Sequence, residues 1–383
     1  MFTFEINHKD SNARCGRLTT PHGQVATPVF MPVGTAGTVK GVTPDQLAAC
    51  GSTIILANTY HLMLRPGAQT ISDLGGLHKV MAWNNPILTD SGGYQVFSLA
   101  HMRKIDDQGA TFQSHIDGSQ QVLTPRSAME IQRLLGADII MQLDECAPSE
   151  APTEQLERAV RRSADWARLC KRHWQEADCS SAQGSGQALF AIQQGGVDLE
   201  LRAQSAQRIV QLDLPGYAIG GLSVGEGHQA MCDVLDAVDG QLPHDKPRYL
   251  MGVGEPRDLL AAVARGVDMF DCVMPTRNGR NAQAFTWQGR LRLRNAQWAA
   301  DTRPLDQSCN CYACQHFSRG TLRHLFMAGE MLGPTLLTIH NLYFFADFMA
   351  AIRQAITDQT FAAKSRAWLD QMYADNENDH AEM

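Results

Sequence analysis

Three stretches of this chain follow one plan: LAACGSTIILANT (47–59), RLLGADIIMQLDE (133–145) and VARGVDMFDCV (263–273). In each, a helix-like segment closes on a glycine, a short apolar run follows, and the run ends in a polar side chain. Glycine suits the left-handed residue after a helix, and an unbroken apolar run of this length suits a strand buried on both faces. These are helix-to-strand joints of a parallel sheet. PVFMPVG (28–34), PILTDSGG (86–93), LFAIQQGG (189–196), YAIGGLSVG (217–225) and YLMGVG (249–254) read as further strands, eight in all. Between them lie helix starts at Thr43-Pro44, at Thr124-Pro125 and over 153–174, with the polar-then-proline or acidic openings that helix N-termini favour.

Eight alternating units point to a (β/α)₈ barrel, with an open doubly wound sheet as the competing α/β arrangement. The polar strand ends decide between them. Asn58, Asp90, Asp144, Gln194 and Asp271 come from five different strands, and a closed barrel gathers that many carboxyl ends around one mouth. No G-x-G-x-x-G follows the first strand, which weakens a dinucleotide fold further. After the eighth strand the pattern changes: AFTWQGRLRLR (284–294) reads as a hairpin around Gln288-Gly289, then come clustered cysteines and helical material from about Arg319. The expected division is a barrel over 1–276, an inserted subdomain over 277–340, and a closing barrel helix with a frayed tail over 341–383.

Composition narrows the function classes. Of 383 residues, 44% are hydrophobic and 19% charged, ordinary for a globular chain with a large core. The start MFTFEINHKD lacks a basic n-region and apolar centre, and no run approaches a membrane span, so a cytoplasmic protein is expected. The formal net charge of −7 argues against general coating of nucleic acid. Charge is nevertheless uneven: residues 277–323 hold eight arginines, no lysine and only Asp301 and Asp306 as acids. That segment offers a local face for anions.

Two groups of residues carry chemistry. Cys309, Cys311 and Cys314, spaced C-x-C-x₂-C, can bring three thiolates to one ion, and a tetrahedral zinc site needs one more ligand. His324 and His340 both remain open on spacing, while His316 sits too close. No general base or open position accompanies them, so a closed, structural site is expected. A lone aspartate at a strand end is more often a cap than a catalyst, but three at one barrel mouth change that balance. Glycosyl transfer uses paired carboxylates, one attacking the anomeric carbon and one protonating the leaving group. DSGGYQ adds a Gly-Gly turn for close backbone approach, and Tyr94 offers a face on which a base can stack.

DSGGYQ, IQQG, GGLSVGEG, YLMGVG, MFDCVMPTRNGRNAQAFTW, CNCYAC and the downstream TIHN closely resemble the bacterial tRNA-guanine transglycosylases, in order and over residues 3–373. The resemblance implies a TIM barrel with a zinc subdomain that swaps the wobble guanine of certain tRNAs for a deazaguanine base in queuosine synthesis. It makes Asp271 the nucleophile and Asp90 the acid/base. Asp144 would recognise the purine edge, with Gln194, Gly221 and Leu222 completing the pocket and Tyr94 and Met251 sandwiching the ring. Ser91, Gly92, Gly93 and Cys146 would also line it. His340 would be the zinc histidine. RNA would meet Gly252, Val253, Gly254, Glu255, Pro256, Arg257 and Asp258, and also Thr276, Arg277, Asn278, Gly279 and Arg280. A homodimer is implied as well.

With that reading, the arginines beside Asp271 acquire a physical purpose. A carboxylate approaching one ribose of a polyanion is repelled by flanking phosphates, which Arg277 and Arg280 would neutralise. The guanine must leave its stack, a cost of a few kcal/mol that is lower in an anticodon loop. One departure stands out: Glu255 occupies the place of an expected lysine in MGVGKP, so either Arg257 substitutes or RNA is held more weakly there. No stretch here reads as the further RNA-binding domain of archaeal relatives, so an archaeosine enzyme is not expected. Val224, where eukaryotic enzymes have glycine, would leave no room for the cyclopentenediol of queuine, so the small aminomethyl deazaguanine is the expected base. A barrel glycoside hydrolase would need neither the arginine loop nor the zinc annex. A non-catalytic RNA-binding subunit would have lost Asp90 or Asp271, and a DNA-modifying relative would act on duplex DNA.

Overall fold

A computed structural model describes residues 2–99, 103–148, 151–222 and 225–374. The eight apolar runs are strands of one parallel sheet. They are β1 (Val29–Pro32), β2 (Ile55–Ala57), β3 (Ile87–Thr89), β4 (Ile139–Met141), β5 (Ala188–Gln193), β6 (Gly216–Ile219), β7 (Arg248–Leu250) and β8 (Met269–Cys272). β1 lies beside β8, and the sheet continues through β7, β6, β5, β4 and β3 to β2. A parallel bridge between Val33 and Leu56, with the Gly34 N–H donating to the Leu56 carbonyl at 2.6 Å, joins β2 back to β1 and closes the barrel.

Alternation along each strand explains the continuous apolar runs. Met31, Leu56, Leu88, Ile139, Phe190, Tyr249 and Met269 pack inside the barrel. Their neighbours Phe30, Ile55, Ile87, Ile140, Leu189, Leu250 and Phe270 pack outward against the helices. Both faces are dry, as a parallel sheet wrapped by helices requires. The glycines of the three joints have φ of +85° (Gly51), +80° (Gly136) and +81° (Gly266), the left-handed region in which glycine avoids the Cβ clash. Thr43 and Thr124 each make a reciprocal capping box, with Gln46 and Ser127. The helix expected over 153–174 runs Thr153–Glu176, and Pro152 takes its N-cap position without a side-chain bond.

Two small sheets were not anticipated. The strands Thr3–Asp10, Ala13–Thr20 and Gly23–Thr27 form an antiparallel sheet whose Leu18 and Val25 join the barrel's inner cluster, plugging its N-terminal end. Arg103–Asp106, Gly109–Gln113 and Gln120–Leu123 form another, inserted between β3 and the helix Pro125–Leu135.

Beyond β8 the helix Met274–Arg280 leads into the expected hairpin, Gln283–Thr286 with Gly289–Arg292, whose tip is Trp287-Gln288. The annex has its own apolar cluster, including Ala284, Leu293, Leu305, Leu322, Phe326, Leu336 and Leu337. A 26-residue helix, Leu332–Thr357, belongs to both parts: Leu336 and Leu337 pack in the annex, while Phe345, Phe348 and Ile352 pack in the barrel layer. It is long and apolar enough to cross a membrane by composition, but most of it is buried in the molecule. The expected 340/341 division falls inside this helix. Phe361–Tyr373 follows it, and the tail from 375, like Val224, lies outside the described residues.

Candidate active site

The polar strand ends do meet at one mouth. Asp90 follows β3 and is 6% exposed. Its carboxylate accepts hydrogen bonds from Asn58 Nδ2 (2.5 Å), the Thr59 N–H (2.7 Å) and Gln95 Nε2 (2.9 Å). Burial pushes its pKa up, these donors pull it back, and the charge of Asp271 pushes it up again, to about 6. Asp90 is thus poised to hold or release a proton near neutrality.

Asp271, at the end of β8, keeps one oxygen occupied: Oδ1 accepts from the Tyr249 hydroxyl (2.6 Å) and the Gly252 N–H (2.8 Å). No hydrogen bond to Oδ2 exists among the described residues, so that oxygen is available for attack. Burial raises the Asp271 pKa, and the Tyr249 and Gly252 bonds oppose it. The neighbouring Cys272 thiol is pushed by burial up to about 11. Cys272 is therefore a neutral thiol beside that carboxylate at neutral pH.

The floor of the mouth is built around Asp144, which is also 6% exposed. Its two oxygens accept from Ser91 Oγ and Gln194 Nε2, both at 2.6 Å. Each oxygen keeps a second lone-pair direction for a ligand N–H. Burial raises its pKa as well. Two glycine pairs make this packing possible. A Cβ on Gly93 would stand 2.5 Å from the Asp144 carbonyl, and one on Gly221, itself at φ +67°, would stand 2.6 Å from Gln194 Oε1. The close approach expected of the DSGG turn is therefore made first to Asp144. Cys146 is buried beside this floor and pushed up to about 12, a neutral wall. Leu222 is buried, Met251 half-buried, and Tyr94 exposed at the rim.

Of the two stretches expected to meet RNA, only part faces outward. Val253, Gly254, Pro256, Thr276 and Gly279 are buried, whereas Arg277 is exposed and Arg280 and Asn278 are partly so. Arg280 Nη1 is buried without a hydrogen-bond partner, and burial and the charge of Arg277 both lower the Arg280 pKa. Two arginines crowded without a carboxylate form a site that an anion would relieve. In the annex, Arg290 pairs with Glu255, and Arg303 and Arg319 pair with Asp301. Arg277, Arg280, Arg292, Arg294 and Arg323 have no carboxylate partner among the described residues.

Glu255, the departure from the family pattern, is not a bare anion. It accepts from Arg290 and from the Tyr373 hydroxyl, tying the loop after β7 to the hairpin and the last helix. Arg257, the other cation of this loop, has its Nε 3.6 Å from Asp258.

The cysteine cluster gathers as a metal centre. Nδ1 of His340 lies 3.7, 3.5 and 3.3 Å from the sulfurs of Cys309, Cys311 and Cys314. Zinc bonds of about 2.3 Å to sulfur and 2.0 Å to nitrogen at tetrahedral angles give an N···S edge of about 3.5 Å. The other ring nitrogen, Nε2, is 2.7 Å from the Phe285 carbonyl. Donation there leaves the Nδ1 lone pair for an ion. The donor set fits a metal, and His316 and His324 are not part of it.

Several supporting residues escaped sequence reasoning. Tyr249 and Gln95 lie within quoted motifs and Thr59 opens the helix after β2, yet nothing in one sequence says that their donors, with that of the strand-end Asn58, converge on Asp271 and Asp90. The sequence model of a family described as queuine tRNA-ribosyltransferase matches residues 9–374. The chain is 54% identical over 362 residues to a queuine tRNA-ribosyltransferase of Sphingopyxis alaskensis, covering 94% of this chain and 96% of the relative. It is 51% identical over 375 residues to that of Solidesulfovibrio magneticus, covering 98% and 99%.

Proposed function

Since the chain belongs to the queuine tRNA-ribosyltransferase family, we propose that it exchanges the wobble guanine of queuosine-family tRNAs for the aminomethyl deazaguanine precursor through a covalent aspartyl-ribosyl intermediate. It is a tRNA-guanine transglycosylase, a pentosyltransferase of queuosine synthesis. The observation that carries the finer reading is the pairing of two unlike carboxylates at one mouth: Asp271 with a free Oδ2, and Asp90 with a pKa near 6.

The steps follow from those environments. Asp271 Oδ2 attacks the ribose C1′ as the glycosidic bond to guanine breaks, while Tyr249 and Gly252 hold Oδ1 and steady the aim. Protonated Asp90 gives its proton to the departing base, whose nitrogen would otherwise leave as an anion. The incoming base then surrenders a proton to Asp90, attacks C1′ and frees Asp271. Asp144, with Ser91 and Gln194 fixing its plane, accepts N–H groups from the purine edge. Arg277 and Arg280 take the phosphates flanking the extruded nucleotide. The metal of the annex, proposed to be zinc, supplies only cross-linking of its four ligands there. The setting is proposed to be the cytoplasm, where the ten free thiols stay reduced.

The test is exchange of radiolabelled guanine into tRNA. Incorporation into tRNA with a wobble guanine, none when that guanine is replaced, and chase by the aminomethyl deazaguanine are expected. Incorporation independent of the wobble base, or no chase by that base, would overturn the assignment of substrate.

A further inference from the structure

The opposite end of the barrel holds a second set of metal-type donors that the transglycosylase chemistry does not use. Asp138 immediately precedes β4, His22 sits in the turn between the strands Ala13–Thr20 and Gly23–Thr27, and His78 lies in the short helix Leu77–Val80. We propose that His22, His78 and Asp138 form a binding site for a transition-metal dication of the zinc type, distinct from the Cys309, Cys311, Cys314 and His340 centre.

Four observations support it. The donor atoms of the three side chains all lie within 4.8 Å of one another. His22 Nδ1 is 2.8 Å from Asp138 Oδ1, and His78 Nε2 is 3.2 Å from Oδ2. Separations of this size are also the edges of a coordination shell with bonds of about 2.0–2.2 Å. The Asp138 side chain is fully buried. Its Oδ2 also accepts from the Ile87 N–H at 3.0 Å, which fixes the plane of the carboxylate. Finally, His78 Nε2 is buried and makes no hydrogen bond, although it lies 3.2 Å from Oδ2. A buried ring nitrogen left unsatisfied beside a carboxylate is the group that an ion would satisfy.

Donor chemistry sets the class of ligand. Two imidazole nitrogens and one carboxylate suit zinc and its neighbours, whereas calcium or magnesium would demand more oxygens. The rings of His22 and His78 are now stacked, with centroids 3.5 Å apart and 17° between planes. In that pose their lone pairs run side by side, so binding requires one ring to tip out. His22 is the ring able to move: its side chain is 28% exposed, against 13% for His78. Coordination through Nδ1 uses the tautomer with the proton on Nε2. The ion would tie the N-terminal plug to two other segments at the end of the barrel where stability, not catalysis, resides.

The experiment uses the full chain with its cysteine-site metal already bound and counted. Zinc is titrated against a metallochromic competitor, and thermal unfolding is followed with and without the added ion. One further equivalent per chain and a rise in melting temperature are expected. Both should be lost in His22→Ala and in His78→Gln, while the first equivalent and guanine exchange persist in each. His22→Ala removes a partly exposed ring and His78→Gln keeps a polar side chain beside Asp138, and unfolding without added zinc checks that each variant folds. No further equivalent in the parent, or a further equivalent unchanged in both variants, would overturn the site.

Discussion

Buried aspartates stand at both ends of this barrel, and they are treated in opposite ways. At the N-terminal end, Asp268 takes a two-point ion pair from Arg14, at 2.9 and 2.6 Å, and the Arg248 N–H at 2.7 Å. Asp138 lies between two histidines. At the mouth, Asp90 and Asp144 are buried and Asp271 is partly so, but their donors are neutral: Asn58, Gln95, Ser91, Gln194, Tyr249 and backbone N–H groups. At the plugged end an arginine quenches the charge of Asp268. Neutral donors at the mouth orient the carboxylates and leave their charge and proton affinity for a substrate. On the proposed function, the difference separates residues that hold the fold together from residues that meet the substrate.

The largest effect should come from Asp271. Asp271→Asn is expected to abolish guanine exchange while leaving the melting temperature close to that of the parent, since an amide can keep the Tyr249 contact. Calorimetry showing wholesale destabilisation would erase the distinction between the two ends. Asp90→Asn should slow exchange by about 10²–10⁴-fold, the usual contribution of a general acid or base. The pH profile sharpens this. Asp271 must be ionised, so the single-turnover rate of guanine release rises as its raised pKa is passed. Asp90 must be protonated, so the rate falls again as pH climbs through about 6. That falling limb should vanish in Asp90→Asn, and its persistence would assign the acid elsewhere.

Breaking the other side of the comparison should leave catalysis intact. Arg14→Met strands Asp268 without its cation, which costs about 3–5 kcal/mol when a buried pair loses one partner. Denaturant unfolding should register that loss, while exchange per folded molecule stays unchanged. A fall in specific activity would mean that the plugged end is coupled to the mouth. The smallest effect belongs to the basic loop. Arg277→Ala or Arg280→Ala should flatten the log-log salt dependence of tRNA binding by roughly 0.7–0.9, with affinity for the free base unchanged. Unaltered slopes for both would point the loop away from RNA.

Much of this architecture was legible in the sequence because its causes are local. The apolar runs had to be strands, and the glycines at 51, 136 and 266 marked where helices stop. The polar residues ending five strands had to meet once the barrel closed. Less was legible where the cause is long-range. The N-terminal sheet is specified by Leu18 and Val25 packing into a barrel that does not exist until strands far along the chain have paired. The Gly93 and Gly221 contacts with Asp144 and Gln194 join loops from different units. Glu255 read as a lost RNA contact, because nothing near it in sequence announces Arg290 or Tyr373. Spacing alone left His324 and His340 open, and the long helix Leu332–Thr357 brings His340 to the sulfurs.

The most direct test of the account is the mass of the enzyme and RNA complex trapped under denaturing conditions during exchange. The account predicts a covalent adduct in the parent whose peptide carries the ribosyl linkage on Asp271, formed more slowly by Asp90→Asn and not at all by Asp271→Asn. An adduct that persists in Asp271→Asn, or one mapped to Asp90, Asp144 or Cys272 in the parent, would contradict it.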